Sequence, residues 1–151
     1  MKKRICLLAH NVRSLWNVGS FFRTCDAMGV EKLYLTGYTG VPPRREITKT
    51  AIGAEEAVPW EHHEDPLQLL HQLKKEGWQL VALEITKDAI NIQTFKPSRR
   101  ICLIVGHELS GLSEDILSLC DATVMIPMLG TKESLNVAVA AGMALYHITF
   151  L

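Results

Sequence analysis

Residues 101–111 of the chain read ICLIVGHELSG, an apolar run that ends abruptly in a polar segment containing two glycines. A near-continuous apolar run of this length predicts a strand buried on both faces of a parallel sheet. The same transition recurs at residues 123–131, TVMIPMLGT, where an apolar run again leads into a loop with glycine. Two such strands predict that a parallel sheet forms the core of the fold.

Strand-like and helical segments alternate on both sides of these two runs. Besides residues 101–105 and 123–126, strands are predicted at residues 5–9, 32–36 and 79–85. Helices are predicted from Asn17 as N-cap through about Met28, over residues 65–76 and 113–119, and from Ser134 to the C-terminus. This alternation predicts one α/β domain over residues 1–151, with a mostly parallel sheet flanked by helices.

The last predicted helix is apolar on nearly every side. One stripe consists of Leu135, Val139, Met143, Tyr146 and Phe150, and a second consists of Val137, Ala138, Ala141, Leu145 and Ile148. A helix that is apolar all round is buried all round. Because the sheet of a small domain covers only one side of it, we expect a second subunit to cover the other, which predicts a homodimer.

The composition indicates a soluble intracellular protein. The apolar run near the N-terminus is too short for a signal peptide, and no apolar run reaches the length that spans a membrane. The four cysteines form no CxxC pair and lie in apolar contexts, so we expect buried, reduced thiols. No ligand pattern predicts a metal site. The expected location is the cytoplasm, with no membrane partner.

The net charge of zero gives little support to nucleic-acid binding. Basic residues do occur in groups, among them Arg44 and Arg45 in a loop with glycine and proline at residues 37–45 that we expect to be mobile. Such pairs are usually solvated surface. Several of them would have to meet in the folded protein to form a patch.

A ligand site is predicted beyond the carboxyl ends of the strands, as in other open parallel sheets. The glycines after residues 105 and 129 would let backbone amides approach a ligand. A phosphate-binding loop is excluded because Leu112 stands where its lysine belongs, and no GxGxxG follows the first strand. Taken alone, Arg23 and Glu108 read as surface or capping residues. Asn136 is expected to be a buried amide that needs partners.

Three segments, in order along the chain, resemble the SpoU/TrmH branch of the SPOUT methyltransferases. They are residues 11–13 with 17–24 (NVR and NVGSFFRT), residues 104–112 (IVGHELSGL), and residues 126–128 with 134–137 (IPM and SLNV). One departure is His107, which stands where many members of the family have asparagine.

The resemblance implies a fold with a deep trefoil knot in its C-terminal part, a dimer, and a bent S-adenosylmethionine bound in the knot loops at the dimer interface. It also implies the residues of the cofactor pocket. Carried over position by position, these are Leu83, Gly106, Ile126, Met128, Ser134 and Leu135.

The resemblance further implies methylation of a ribose 2′-hydroxyl, with Arg23 as the proposed base, helped by a substrate phosphate. Arginine is normally protonated, so anchoring a phosphate is the safer physical role. Asn17, Glu108, Ser134 and Asn136 would shape the pocket and orient Arg23 or the ribose. RNA contacts are expected from Arg13, Arg23, Arg44 and Arg45.

The RNA substrate is left open by the sequence, although small members of this kind favour tRNA over ribosomal RNA. Two other functions fit the same fold. The enzyme could methylate a base, or the chain could be a non-catalytic RNA-binding dimer. The segments around Arg23 and residues 134–136 argue against the former, and the intact cofactor pocket argues against the latter.

Overall fold

The computed structural model describes residues 2–151, and these form a seven-stranded sheet. The strands are β1 (Arg4–His10), β2 (Lys32–Thr36), β3 (Trp60–His63), β4 (Gln79–Leu83), β5 (Ile90–Asn91), β6 (Arg100–Val105) and β7 (Ala122–Met125). Their order across the sheet is β3-β2-β1-β6-β4-β7-β5, and each strand pairs in parallel with its neighbours. The predicted α/β class with a parallel sheet is confirmed.

Helices cover both faces of this sheet. They are α1 (Leu15–Met28), α2 (Arg45–Ala51), α3 (Ala54–Ala57), α4 (Pro66–Lys75), α5 (Glu114–Leu119) and α6 (Val137–Phe150). Alternate residues of β1 point into two separate apolar clusters, as the two-residue period of a strand requires. Leu7 packs with residues of α1 and α6, whereas Leu8 packs with residues of α4 and α5.

The two strands that suggested a parallel sheet differ in burial. In β6, all five residues from Ile101 to Val105 are buried, as predicted. In β7 only Val124 is buried, so the prediction of burial on both faces is wrong for this strand. The reason is its position, because β7 is followed only by the two-residue strand β5 at the edge of the sheet.

Two helices begin at a different residue from the one predicted. The N-cap of α1 is Ser14, whose hydroxyl accepts a hydrogen bond from the Asn17 amide at 3.2 Å. The N-cap of α6 is Asn136 rather than Ser134, and its side-chain oxygen accepts from the amides of Ala138 and Val139. Both corrections follow from capping chemistry, since serine and asparagine are good caps and the sequence offers several near each start.

Helix α6 is buried on one side only within a single chain. Ala141, Ala144, Leu145 and Ile148 lie in the core, against α1 and the sheet. The other side carries four large side chains that are about half or more exposed, namely Val139, Met143, Tyr146 and Phe150. The all-apolar sequence of this helix therefore corresponds to one covered face and one uncovered face.

The four cysteines are free thiols, as predicted, with Cys120 only partly buried. Burial raises the pKa of the Cys6 thiol to about 12, which keeps it protonated and unreactive. Within residues 2–151, no helix combines the length and the apolarity needed to cross a membrane.

Candidate active site

A cavity of about 360 Å³ opens where β4, β6 and β7 end. It lies at the carboxyl ends of parallel strands, where open α/β sheets bind ligands, and its volume falls in the range of ligand pockets, roughly 300–1,000 Å³. Its lining includes Leu83 at the end of β4 and Glu84 after it, residues 105–109 and 111 from the end of β6 and the loop that follows, and residues 125, 126, 128, 133–135, 137 and 140 from the end of β7 to α6.

The residues assigned to the cofactor from the sequence all line this one cavity. They are Leu83, Gly106, Ile126, Met128, Ser134 and Leu135. These residues meet because β4, β6 and β7 all end at the same edge of the sheet. The lining combines apolar and polar side chains, so the cavity suits a ligand with both kinds of group.

The loop after β6 folds back on itself to form one wall of the cavity. His107 and Gly111 make a pair of backbone hydrogen bonds of 3.3 and 3.0 Å that close the turn. A Cβ on Gly106 would lie 2.7 Å from the Gly111 carbonyl oxygen, and Gly111 has a φ of +68°. Glycine is therefore required at position 106 because there is no room for a side chain, and at position 111 because the backbone has a positive φ.

Glu84 holds the end of this turn from the neighbouring strand. Its carboxylate accepts a hydrogen bond from the Leu112 amide at 2.9 Å and lies where a side chain on Gly111 would otherwise be. The sequence prediction missed this residue. A usable signal existed, since Glu84 directly follows β4 at the sheet edge where ligands are expected.

Glu108 joins the cavity wall to the start of α1. Its carboxylate accepts from the backbone amides of Arg13 at 3.0 Å and Ser14 at 2.8 Å, and from the side-chain amide of Asn17 at 3.0 Å. Burial is the strongest single influence and favours the protonated form. The amides of Arg13, Ser14 and Glu108 itself, with Asn17, together outweigh it and leave the pKa of Glu108 below its ordinary value.

Asn17 extends this network to the C-terminal helix. It is buried, and its side-chain oxygen accepts a hydrogen bond of 3.3 Å from the side chain of Asn136. Asn17, Glu108 and Asn136 come from three distant parts of the sequence and meet beside the cavity. We call these three residues the polar triad.

Two of the predicted site residues lie in a more open position than expected. Asn136 is exposed in the single chain, so the prediction of a buried amide is wrong. Its side chain bonds to the first backbone amides of α6 and to the side chain of Asn17. Ser134 lines the cavity but is exposed. Both lie where the chain enters α6, and the side chain of Asn136 also links this segment to Asn17 on α1.

Arg23 lies away from the polar triad in the single chain. It is six residues after Asn17 on α1, which places the two side chains about 120° apart around the helix axis. Arg23 is exposed and lines a shallow depression with Ser20, Thr24, Lys49 and Thr50. Among residues 2–151 it forms no ion pair.

The other arginines assigned to RNA are also exposed. Arg13 lines a small depression with Glu108 and Leu109, next to the cavity. Arg44 and Arg45 lie at the start of α2, a helix that packs against α1. The sequence prediction missed α2 and with it Lys49, which the fold places beside Arg23.

The family model for the SpoU rRNA Methylase family matches residues 4–146. Among curated proteins, the chain is similar to the tRNA (guanosine(18)-2′-O)-methyltransferase of Aquifex aeolicus. The two are 36% identical over 97% of this chain and 69% of that protein.

Solved structures give the same result. The AdoMet-bound rRNA methyltransferase from Sinorhizobium meliloti superposes with a TM-score of 0.91 at 26% identity, and the match covers 98% of this chain but only 56% of that protein. A structure concerned with 2-OH methylation of C/U34 on tRNA superposes with a TM-score of 0.86 at 25% identity, over 97% of this chain and 94% of its own length. The family match, the similar sequences and the shared fold agree with the geometry of the site: the chain belongs to the SpoU rRNA Methylase family.

Proposed function

We propose that this chain transfers a methyl group from S-adenosylmethionine to a ribose 2′-hydroxyl of RNA, with tRNA as the favoured substrate. The similar proteins with tRNA 2′-O-methyltransferase names support the reaction class. The observation that carries the proposal is the polar triad, Asn17, Glu108 and Asn136, held together beside a cavity at the carboxyl ends of three strands.

The residues of the cavity fit S-adenosylmethionine. Leu83, Ile126, Met128 and Leu135 offer apolar surface for an adenine ring, and polar residues belong to the same lining. Glu133 also lines the cavity, and an acidic residue there suits a ligand that carries positive charge. When bound, S-adenosylmethionine supplies a methyl group already activated by its sulfonium, so the protein mainly has to position the hydroxyl.

Arg23 anchors the target nucleotide in this proposal. A guanidinium holds a phosphate through two parallel hydrogen bonds, and Arg23 is exposed and free of ion pairs within residues 2–151. Anchoring the phosphate fixes the ribose next to it. The polar triad and Ser134 then orient the hydroxyl toward the cavity, with Glu108 held ionised by its amide donors.

The active unit is a homodimer in this proposal, because Arg23 and the cavity belong to different faces of a single chain. The uncovered face of α6, with Val139, Met143, Tyr146 and Phe150, is the surface we assign to the contact. Helix α6 packs on α1, the helix that carries Arg23. A partner chain bound to this face would lie next to Arg23, so that Arg23 and the partner's cavity would form one shared site.

Mixing two inactive variants tests this arrangement. If each site takes Arg23 from one chain and the polar triad from the other, equal amounts of R23A and N17A should form mixed dimers with one intact site. Random pairing of a two-fold dimer then restores about a quarter of the wild-type rate. Two inactive proteins that stay inactive after unfolding and refolding together would contradict a shared site.

We include in the proposal the trefoil knot that the resemblance implies. The strand order is consistent with it, since β7 inserts between β4 and β5, two strands that residues 84–89 already connect. A tRNA substrate also supports the expected cytoplasmic location.

The direct test is transfer of labelled methyl groups from S-adenosylmethionine to RNA that lacks this modification. The proposal expects label in a 2′-O-methylated nucleotide, incorporated at least about 100-fold more slowly with R23A. Label on a base would favour a base methyltransferase. Cofactor binding without transfer to any RNA would favour a non-catalytic RNA-binding dimer.

A further inference from the structure

The imidazole of His107 ties down the turn that forms one wall of the cavity. His107 directly follows Gly106 at the end of β6, and its side chain is half-buried. Its Nδ1 accepts hydrogen bonds from two backbone amides of the same turn, Leu109 at 3.0 Å and Ser110 at 3.1 Å. A side-chain acceptor that receives the amides two and three residues ahead is the arrangement an aspartate or asparagine makes in an Asx turn.

This geometry fixes the proton of the imidazole. Because both partners of Nδ1 are N–H donors, Nδ1 must offer its lone pair, and we assign the ring proton to Nε2. A proton on Nδ1 would face two other N–H groups, and both hydrogen bonds would be broken. The turn as observed therefore requires a neutral imidazole.

Few other contacts hold the tip of the turn. Leu109 is 91% exposed, so it adds almost no packing, and Ser110 is exposed as well. Below the tip, the backbone pair between His107 and Gly111 closes the turn, and Glu84 accepts the Leu112 amide. The Nδ1 atom is thus what orders the amides of residues 109 and 110, next to the cavity that Leu109 and Gly111 line.

We propose that His107 is a positioning residue for the cofactor, and that S-adenosylmethionine binds to the turn in the form that the Nδ1 acceptor of His107 holds in place. The inference rests on the proposed function, because it takes the cavity to be the cofactor site. Asparagine can supply the same acceptor through its side-chain oxygen, whereas alanine cannot.

Other charged groups share these surroundings. Glu84, Glu108 and Glu133 line the same cavity as His107, and Arg13 lines the neighbouring depression with it. They belong to the ends of β4 and β6, the segment before α6, and the segment before α1. A variant that changes only residue 107 leaves all four in place, so a comparison of variants isolates the imidazole.

The experiment is calorimetric titration of S-adenosylmethionine into wild type, H107N and H107A at pH 8. H107A should bind roughly tenfold more weakly than wild type, since two amides of the turn lose their partner. H107N should recover the affinity that H107A loses, because its side-chain oxygen can accept from the same amides.

Three outcomes would decide against the inference, and they are distinguishable. A wild type that binds no cofactor at any pH would overturn the proposed function as well. Cofactor binding that is as strong in H107A as in wild type, or that H107N fails to restore, would overturn the role of His107 alone. A nitrogen-15 spectrum of the imidazole with the proton on Nδ1 at pH 8 would also overturn it, and thermal unfolding of each variant shows whether the fold is intact.

Discussion

The surroundings of Glu108 and those of Arg23 differ in how much the protein has already arranged. Glu108 accepts three hydrogen bonds from the start of α1, and Asn17 carries the network on to Asn136. Arg23 is exposed in a shallow depression and forms no ion pair within residues 2–151. The region of Glu108 is therefore ordered by hydrogen bonds without any ligand, whereas the charge of Arg23 remains available to bind one.

This difference suggests a division of work between the two regions. Hydrogen bonds made in advance fix the shape of a site and cost nothing at the moment of reaction. Exposed guanidinium groups keep their capacity to bind and suit a polyanion such as RNA, whose phosphates dominate affinity. We therefore expect changes near Glu108 to alter the cofactor site and the fold, and changes near Arg23 to alter what happens to RNA.

The R23A variant should show the largest loss of activity and should separate methyl transfer from cofactor binding most clearly. Loss of the phosphate anchor misplaces the ribose, and such misplacement costs about 100-fold in rate or more. Affinity for S-adenosylmethionine should stay unchanged, because in the proposed arrangement Arg23 binds a phosphate of the RNA and not the cofactor, and it does not line the cavity of its own chain. Single-turnover methyl transfer and cofactor titration measure the two quantities.

A matched control for Arg23 is R23K. Lysine keeps the charge but lacks the planar fork, so its rate should fall between those of R23A and wild type. If R23A weakened cofactor binding and transfer equally, the separation between the two regions would be wrong.

The uncovered face of α6 offers a second test of the contrast, since it lies next to the helix of Arg23. In Y146E, a charge replaces the ring of a tyrosine that is 62% exposed and whose ring centroid lies 5.0 Å from that of Phe150, with the two rings tilted. A charge at the centre of an apolar contact should dissociate the proposed dimer and lower the rate at least about tenfold. Sedimentation measures the association state, and I90E, which places the same charge on the exposed edge strand β5 instead of α6, serves as a control.

Most of the fold could be read from local patterns, and the parts that could not are short. Strands β1, β2 and β6 and helix α4 follow from apolar period, capping and glycine stops, as with Gly29 at the end of α1. Residues 45–63 hold α2, α3 and β3, and none of the three was predicted. Each is seven residues or shorter, too short for a periodic pattern to stand out.

The sequence predicted which residues line the site but not how most of them are arranged and bonded. Strand ends and the family resemblance located the cavity, and all six predicted cofactor residues line it. The partners of Glu108 could not be predicted, because a hydrogen bond between residues 108 and 13 depends on the tertiary fold rather than on local sequence. The separation of Arg23 from Asn17, in contrast, could have been predicted, because residues six apart on a helix lie about 120° apart around its axis.

The E108Q variant tests the organised region with a smaller expected effect, about tenfold in rate. Glutamine keeps the shape, but its NH₂ group cannot accept, so one of the three donors loses its partner. The fold should also lose stability at neutral pH. Because the pKa of Glu108 is lowered in the folded protein, its contribution is complete above the ordinary carboxyl pKa and disappears as the pH falls through the lower folded value.

Thermal unfolding of wild type and E108Q between pH 7 and pH 3 measures this dependence. The difference in melting temperature should be largest at neutral pH and shrink on acidification. A constant difference across the range would mean that the charge of Glu108 does not stabilise the fold.

The variants R44A and R45A should have the smallest effects, and they sharpen the other side of the comparison. Both residues are exposed at the start of α2, near enough to α1 to meet RNA that Arg23 holds but outside the cavity. Each should weaken RNA binding only a few-fold and make the association constant less dependent on salt, with the slope reduced by about one for each phosphate that the variant no longer binds. The rate at saturating RNA should stay near that of wild type, because neither residue positions the ribose. A fall in that saturated rate would instead mean that α2 belongs to the reacting site. Lys49 and its neighbours on α2 would then help to position the ribose, and the proposed division between an organised region and a binding region would be wrong.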